Sequence, residues 1–196
     1  MVPLNVPNVL TVLRILAVPV LVVALLGGTP GGDVLAAVVF AVASLTDAVD
    51  GYLARSRNSI TTFGKLMDPI ADKLLIIAAL VALVSLDRVA AWVAMVIIAR
   101  EFAVTALRMA AAQQGVVVPA GMFGKAKTVL QVAMIFALIA AGADPPLWAD
   151  LLVYVTVAVT VLSGVDYVFG IRRRLAEAKR RTARRARSVG LSLIHI

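Results

Sequence analysis

The chain has 196 residues, 62% of them hydrophobic and 15% charged, with a formal net charge of +8 and no cysteine. Soluble domains carry roughly 45–50% apolar residues, so this composition excludes an ordinary soluble fold and predicts an all-α integral membrane protein. The lack of cysteine excludes a disulfide framework and a thiolate metal site. Nine of the 19 Lys and Arg crowd between Arg172 and Arg187, which predicts a juxtamembrane tail held on anionic lipid rather than a nucleic-acid partner.

Six spans are predicted in chain order, each near the ~20 residues a membrane helix needs. The opening MVPLNVPNVLTVLRILAVP lacks a basic leader and a small-residue cleavage site, so it is expected to be a retained first helix. That span covers about Val9 to Leu26 and stops at GGTPGG, which no helix crosses. The second covers about Val34 to Arg55, and after the polar link SRNSIT the third covers about Thr62 to Leu86, where Pro69 predicts a bend beside Asp68. The fourth, about Val89 to Ala112, follows a tight Asp87-Arg88 turn; the fifth covers about Lys125 to Ala141 and the sixth about Leu151 to Ile171. Residues 1–171 are thus one membrane domain and 172–190 a basic cytoplasmic tail. The final LSLIHI, residues 191–196, is unlike that tail and is expected to be a non-native extension, with the natural C-terminus cut short. His195 is therefore given no function.

Loops after spans two and four, with their flanks, hold Arg55, Arg57, Lys65, Arg108, Lys125 and Lys127, whereas loops after spans one, three and five hold Arg88 alone. By the positive-inside rule both termini face the cytoplasm. Trp92 and Trp148 fall at the opposite ends, as interfacial anchors do.

The stretch DAVDGYLARSRNSITTFGKLMDPIAD, residues 47–72, concentrates the chemistry. A carboxylate inside a membrane helix is expensive unless paired or facing a polar cavity. At 1.5 Å per residue, Asp47 lies roughly 20 Å into span two, and Asp68 and Asp72 lie roughly 9 and 15 Å into span three. With Asp50 they meet at one level, near the cytoplasmic side. Asp47, Asp50 and Ala54 recur at i, i+3 and i+7, and Gly64, Asp68 and Asp72 at i, i+4 and i+8, one stripe on each helix. Gly51, Ala54 and Gly64 keep those stripes shallow. Four converging carboxylates need cations, and hard oxygen donors suit two Mg²⁺ or Mn²⁺ ions. The competing readings are a set of helix-pairing polar residues or a cation path.

The pattern Asp47-x2-Asp50-Gly51-x2-Ala54-Arg55-x8-Gly64-x3-Asp68-x3-Asp72 resembles, without departure, the signature of the CDP-alcohol phosphotransferase family. The six-span layout is similar too, so the resemblance covers nearly everything except the tail. It implies an enzyme of the cell membrane that binds a CDP-linked donor at the cytoplasmic face, moves its phosphoryl-bearing half to an alcohol and releases CMP. It further implies that Asp47, Asp50, Asp68 and Asp72 hold two divalent cations and that Asp72 is the catalytic base. Gly51, Ala54, Arg55 and Gly64 would line the nucleotide pocket, and the assembly would be a homodimer.

For the acceptor, NVPNVLTVLRILAVP, IIAREFAVTALRMAAAQQGVVVPA and GKAKTVLQ resemble the branch in which CDP-diacylglycerol gives its phosphatidyl group to glycerol 3-phosphate. The alternatives are a sister enzyme acting on phosphatidylglycerol or inositol phosphate, or a non-catalytic divalent-cation membrane protein. An anionic acceptor needs cations. Arg100 and Arg108 lie eight apart on span four and Lys125 and Lys127 open span five, which makes these four the candidate phosphate ligands. The competing reading is that Arg100 and Glu101 pair with other helices. Thr105, Thr128 and Gln131 are possible polar neighbours. Arg14 and Arg172 are expected to snorkel to headgroups. The donor's acyl chains need an apolar groove open to the bilayer, for which the faces of spans two and five are candidates.

Overall fold

The structure is a computed structural model; it describes the backbone of residues 6–57, 62–116 and 122–192, and side chains over 9–46, 70–71, 73–116 and 122–174. Among the described residues the chain forms six α-helices and no strand: α1 (Val6–Leu26), α2 (Gly32–Arg57), α3 (Thr62–Ser85), α4 (Ala91–Gln113), α5 (Met122–Ala141) and α6 (Leu147–Ser192). Each predicted span has its helix. α1 packs on α2 and α3, α6 packs on α4 and α5, and α2 and α3 join the halves through contacts with α5 and with α4 and α5.

The bundle's interior is built from Leu21, Phe40, Leu75, Leu80, Leu83, Ile97, Met134 and Leu138, all essentially excluded from the surface. Polar side chains are buried alongside them, including Thr11, Arg14, Lys127, Gln131, Thr156, Thr160 and Ser163, while Leu16, Val23, Val34, Met95, Val129 and Phe169 point outward. A water-soluble bundle would do the reverse. The arrangement fits a hydrocarbon surround, where an outward Leu gains nothing by burial and an inward hydroxyl or amide gains a partner.

Three helices among the described residues are long and apolar enough to cross a membrane: Val9–Leu26, Met122–Ala141 and Leu147–Arg174. Over the described side chains, the apolar stretches of α2 and α3 are Gly32–Thr46 and Lys73–Ser85. α4 has Arg100, Glu101 and Arg108 in its length.

α6 departs most from expectation. It begins at Leu147 and continues as one 46-residue helix into the basic tail. At 1.5 Å per residue it is ~69 Å long, more than twice the hydrocarbon thickness. Arg, Ala, Lys, Glu and Leu dominate residues 172–187, and all are strong helix formers; a basic stretch is therefore not a break.

The turns are short and capped. α3 ends in a Schellman arrangement, with Arg88 N–H donating to Leu83 O at 2.9 Å and Asp87 N–H to Val84 O at 3.1 Å. Asp87 takes the left-handed conformation this requires, at φ 57°. Arg88 then grips Asp33 of α2 through two bonds, Nη1 to Oδ1 at 2.7 Å and Nη2 to Oδ2 at 2.9 Å. Trp92 and Trp148, both exposed, sit in the first turns of α4 and α6. Trp92 packs near Tyr154 with ring centroids 6.5 Å apart.

Candidate functional site

Asp47, Asp50, Gly51, Ala54 and Arg55 fall in the C-terminal half of α2, and Gly64, Asp68 and Asp72 in the N-terminal half of α3. Only residues 58–61 separate the two helices, so their carboxylate-bearing halves adjoin along the chain. The side chains of these eight residues lie outside the described residues, as does the predicted bend at Pro69. Among the described residues no group of three or more His, Asp or Glu could hold a metal. The metal expectation therefore stands on the donor chemistry of the four aspartates, a hard-oxygen set that fits Mg²⁺ or Mn²⁺.

All four candidate cations have described side chains, and they divide. Lys127 of α5 is buried, 4% exposed, and its ammonium pairs with Glu101 Oε1 of α4. Arg100 Nη1 lies 3.4 Å from the same oxygen, and its Nη2 donates to Ser163 Oγ of α6 at 2.9 Å. Ser163 Oγ–H donates in turn to Thr160 O at 2.9 Å. α6 passes close beside Arg100 here: a Cβ at Gly164 would stand 3.4 Å from Arg100 Cγ, an ordinary contact. Arg108 is apart, with its guanidinium 5.7 Å from the Tyr167 ring centroid and Nε donating to Tyr167 OH at 3.4 Å. Lys125 is exposed. Of the four candidate phosphate ligands, the fold brings Arg100 and Lys127 together on one carboxylate and leaves Arg108 and Lys125 outside that group. Arg100 and Glu101 thus do pair across helices.

Two residues escaped the sequence reading. Lys73, directly after Asp72, donates through Nζ to Thr105 Oγ1 at 2.7 Å, and Thr105 Oγ1 donates to Glu101 O at 2.8 Å. A lysine inside an apolar membrane helix needs a partner, and that signal was available. Ser163 could not have been found, because the sequence does not say which face of α6 meets α4. A small cavity of about 50 Å³ lies here, lined by Lys73, Glu101, Lys127, Thr128 and Gln131 among isoleucines. This is room for about three or four waters.

Arg14 corrects an expectation. It is 3% exposed, inside the bundle rather than snorkelled out, whereas Arg172 is exposed as expected. Position along a helix sets depth only; the packing of α1 on α2 and α3 sets direction. Arg14 and Thr46 also line a groove of about 490 Å³ between α1 and α2, otherwise walled by Leu10, Leu13, Ala17, Val38 and Val42 among apolar neighbours. Of the two faces expected to offer an apolar groove, that of α2 lines this one, with α1 as its other wall.

The model of the CDP-alcohol phosphatidyltransferase family matches residues 4–162. The chain is similar to the CDP-diacylglycerol–glycerol-3-phosphate 3-phosphatidyltransferase of Bacillus subtilis (strain 168), with 42% identity over 179 residues, covering 83% of this chain and 93% of that protein. It is 43% identical over 171 residues to a probable phosphatidylglycerophosphate synthase of Mycobacterium tuberculosis, covering 84% of this chain and 80% of that protein. A relative from Rickettsia bellii, named like the Bacillus protein, is 36% identical over 168 residues, covering 83% of this chain and 93% of its own. The signature spread over α2 and α3, the helical architecture and a match through most of the length agree: this chain belongs to the CDP-alcohol phosphatidyltransferase family.

Proposed function

We propose that this chain transfers the phosphatidyl group of CDP-diacylglycerol to glycerol 3-phosphate, releasing CMP and forming phosphatidylglycerophosphate. The similarity to the Bacillus protein of that activity, spanning 93% of its length, carries the reading. The cations gathered by α4 and α5 support an acceptor that bears phosphate.

In this reading all six helices cross the membrane, with both termini and the aspartates at the cytoplasmic side. The asymmetric loop charges support it, as do the tryptophans at the opposite helix ends. Pairing lowers the cost of α4's crossing, since the Glu101 carboxylate offsets one of the two positive charges of Arg100 and Lys127 inside the bundle.

Asp47, Asp50, Asp68 and Asp72 would hold two divalent cations, which when bound supply neutralising charge at the donor's diphosphate and at the departing CMP. Gly51, Ala54, Arg55 and Gly64 line the cytidine nucleotide's seat. Asp72 accepts the proton of the acceptor hydroxyl. The freed oxygen attacks the phosphorus that bears diacylglycerol, and the bond from that phosphorus to the CMP oxygen breaks. Arg100 and Lys127 hold the acceptor's phosphate, with Arg108 and Lys125 on its approach. The α1–α2 groove takes one acyl chain of the donor. From Leu10 to Val20 it is ~15 Å long by helical rise, half the ~30 Å hydrocarbon core and so one leaflet deep. Thr46 marks the end of the groove that adjoins Asp47.

Purified protein in mixed micelles with CDP-diacylglycerol and Mg²⁺ tests the reading. CMP release should depend on glycerol 3-phosphate. Equal release with phosphatidylglycerol, inositol phosphate or serine would transfer the assignment to a sister activity, and no release with any acceptor would refute catalysis.

A further inference from the structure

Glu101 stands where three helices bring cations together, yet it belongs to no residue set assigned above. Its carboxylate takes Lys127 from α5 and has Arg100 of its own helix at 3.4 Å. Arg100 is tied in turn to Ser163 of α6. Through its main-chain carbonyl, Glu101 receives Thr105, which receives Lys73 of α3, the residue after Asp72. One position on α4 therefore links the helix carrying the proposed base to the cations proposed to hold the acceptor.

The cavity beside it has the character of a receiving site. Gln131 is 2% exposed and lines this cavity, and its Nε2 has no hydrogen-bond partner among the described residues. Buried amide donors are nearly always satisfied, so this amide is available to an oxygen that enters the cavity, of water or of a phosphate. Lys73 and Lys127 share the lining with it. Cations crowded at low dielectric repel one another when no guest is present, and each would swing toward water or headgroups. A carboxylate between Lys127 and Arg100 offsets that repulsion and keeps both nitrogens in place before the guest arrives, which is preorganisation.

We propose that Glu101 is a positioning residue for the acceptor: it holds Lys127 and Arg100 in the geometry that receives the acceptor's phosphate. The inference rests on the acceptor reading given above. Glu101 touches neither reacting atom, so its loss should be felt in acceptor binding before the chemical step.

The experiment uses the full chain in mixed micelles, measuring CMP release against glycerol 3-phosphate and CDP-diacylglycerol separately, with a thermal melt of each variant. Glu101→Gln should raise KM for glycerol 3-phosphate at least tenfold, leave KM for CDP-diacylglycerol within twofold and keep a cooperative melt. Glu101→Asp, which restores the charge, should recover most of the loss. A KM for glycerol 3-phosphate that is unchanged or falls, or both KM values rising together, overturns the proposal; a fall would mean that Glu101 competes with the phosphate. Should Glu101→Gln fail to fold, Ser163→Ala loosens Arg100 without altering charge. It should raise KM for glycerol 3-phosphate alone, by two- to fivefold, and no change there also overturns the proposal. Wild-type protein that shows no release dependent on glycerol 3-phosphate would overturn the acceptor reading itself, a result distinct from an active wild type with an indifferent Glu101→Gln.

Discussion

Replacing Lys127 by Met tests whether the buried ion pair holds α4 and α5 together. Met keeps much of the lysine's unbranched stem and apolar packing but removes the ammonium. Lys127 is 5% exposed at its side chain and Glu101 17%, so the change strands a carboxylate with little access to water. Breaking such a pair from one side costs about 3–5 kcal/mol when the remaining charge is fully buried. Arg100 remains 3.4 Å from the same oxygen, and Glu101 keeps some exposure, so the expected loss is lower, about 2–3 kcal/mol. For a chain of this size each kcal/mol moves Tm by roughly 2–4 °C, giving a fall of about 4–12 °C. The double variant Lys127→Met, Glu101→Leu removes both charges and leaves Arg100 on Ser163. It should recover at least about 1.5 kcal/mol relative to the sum of the two single changes, within the range for directly coupled residues. Unfolding in detergent, followed by the fluorescence of Trp92 and Trp148, measures all four proteins. A Tm for Lys127→Met within one degree or so of wild type, or strict additivity in the cycle, would show that the pair is incidental to stability.

Three further outcomes follow from the same geometry and the proposed chemistry. Asp72→Asn should lower CMP release by about 10²–10⁴-fold, the usual contribution of a positioned base, while CDP-diacylglycerol still binds; turnover near wild type would exclude Asp72 as base. Chelation of divalent cations should abolish release, and Mg²⁺ or Mn²⁺ should restore it; activity that survives exhaustive chelation would remove the metals from the mechanism. At the other end of the bundle, a double-mutant cycle on Arg88 and Asp33, each replaced by Ala, should return a coupling of about 1 kcal/mol. Asp33 is 38% exposed and Arg88 10%, so the pair stands near the upper limit for surface ion pairs with bidentate geometry. A coupling indistinguishable from zero would mean that the clasp only decorates the turn.

The helices were legible because each is a largely apolar stretch bounded by turn residues, and the structure places a helix on every one, three of them long and apolar enough among the described residues to cross a membrane. The end of α6 was not read as helix, because charge was taken as the sign of a tail although Arg, Lys and Ala favour helix as strongly as Leu does. The residues proposed to react stand out in the sequence for a related reason. A carboxylate in hydrocarbon is so costly that four at helical spacing announce a site before any contact is known, and eight fixed positions over α2 and α3 narrowed it to a family.

The acceptor side was different. Arg100, Arg108, Lys125 and Lys127 looked equivalent in sequence, since a cation's place along a helix gives its depth and nothing more. Packing separated them: α5 turns Lys127 inward against Glu101, α6 presents Ser163 to Arg100 and Tyr167 to Arg108, and Lys125 is left outside. The same packing buried Arg14 and opened an apolar groove between α1 and α2. The sequence by itself determined the helices and the membrane solvent and pointed to the acidic site proposed above, because these follow from local composition and spacing. Only the tertiary structure decided which cations meet, because the rotation of each helix about its axis is settled by all its neighbours at once.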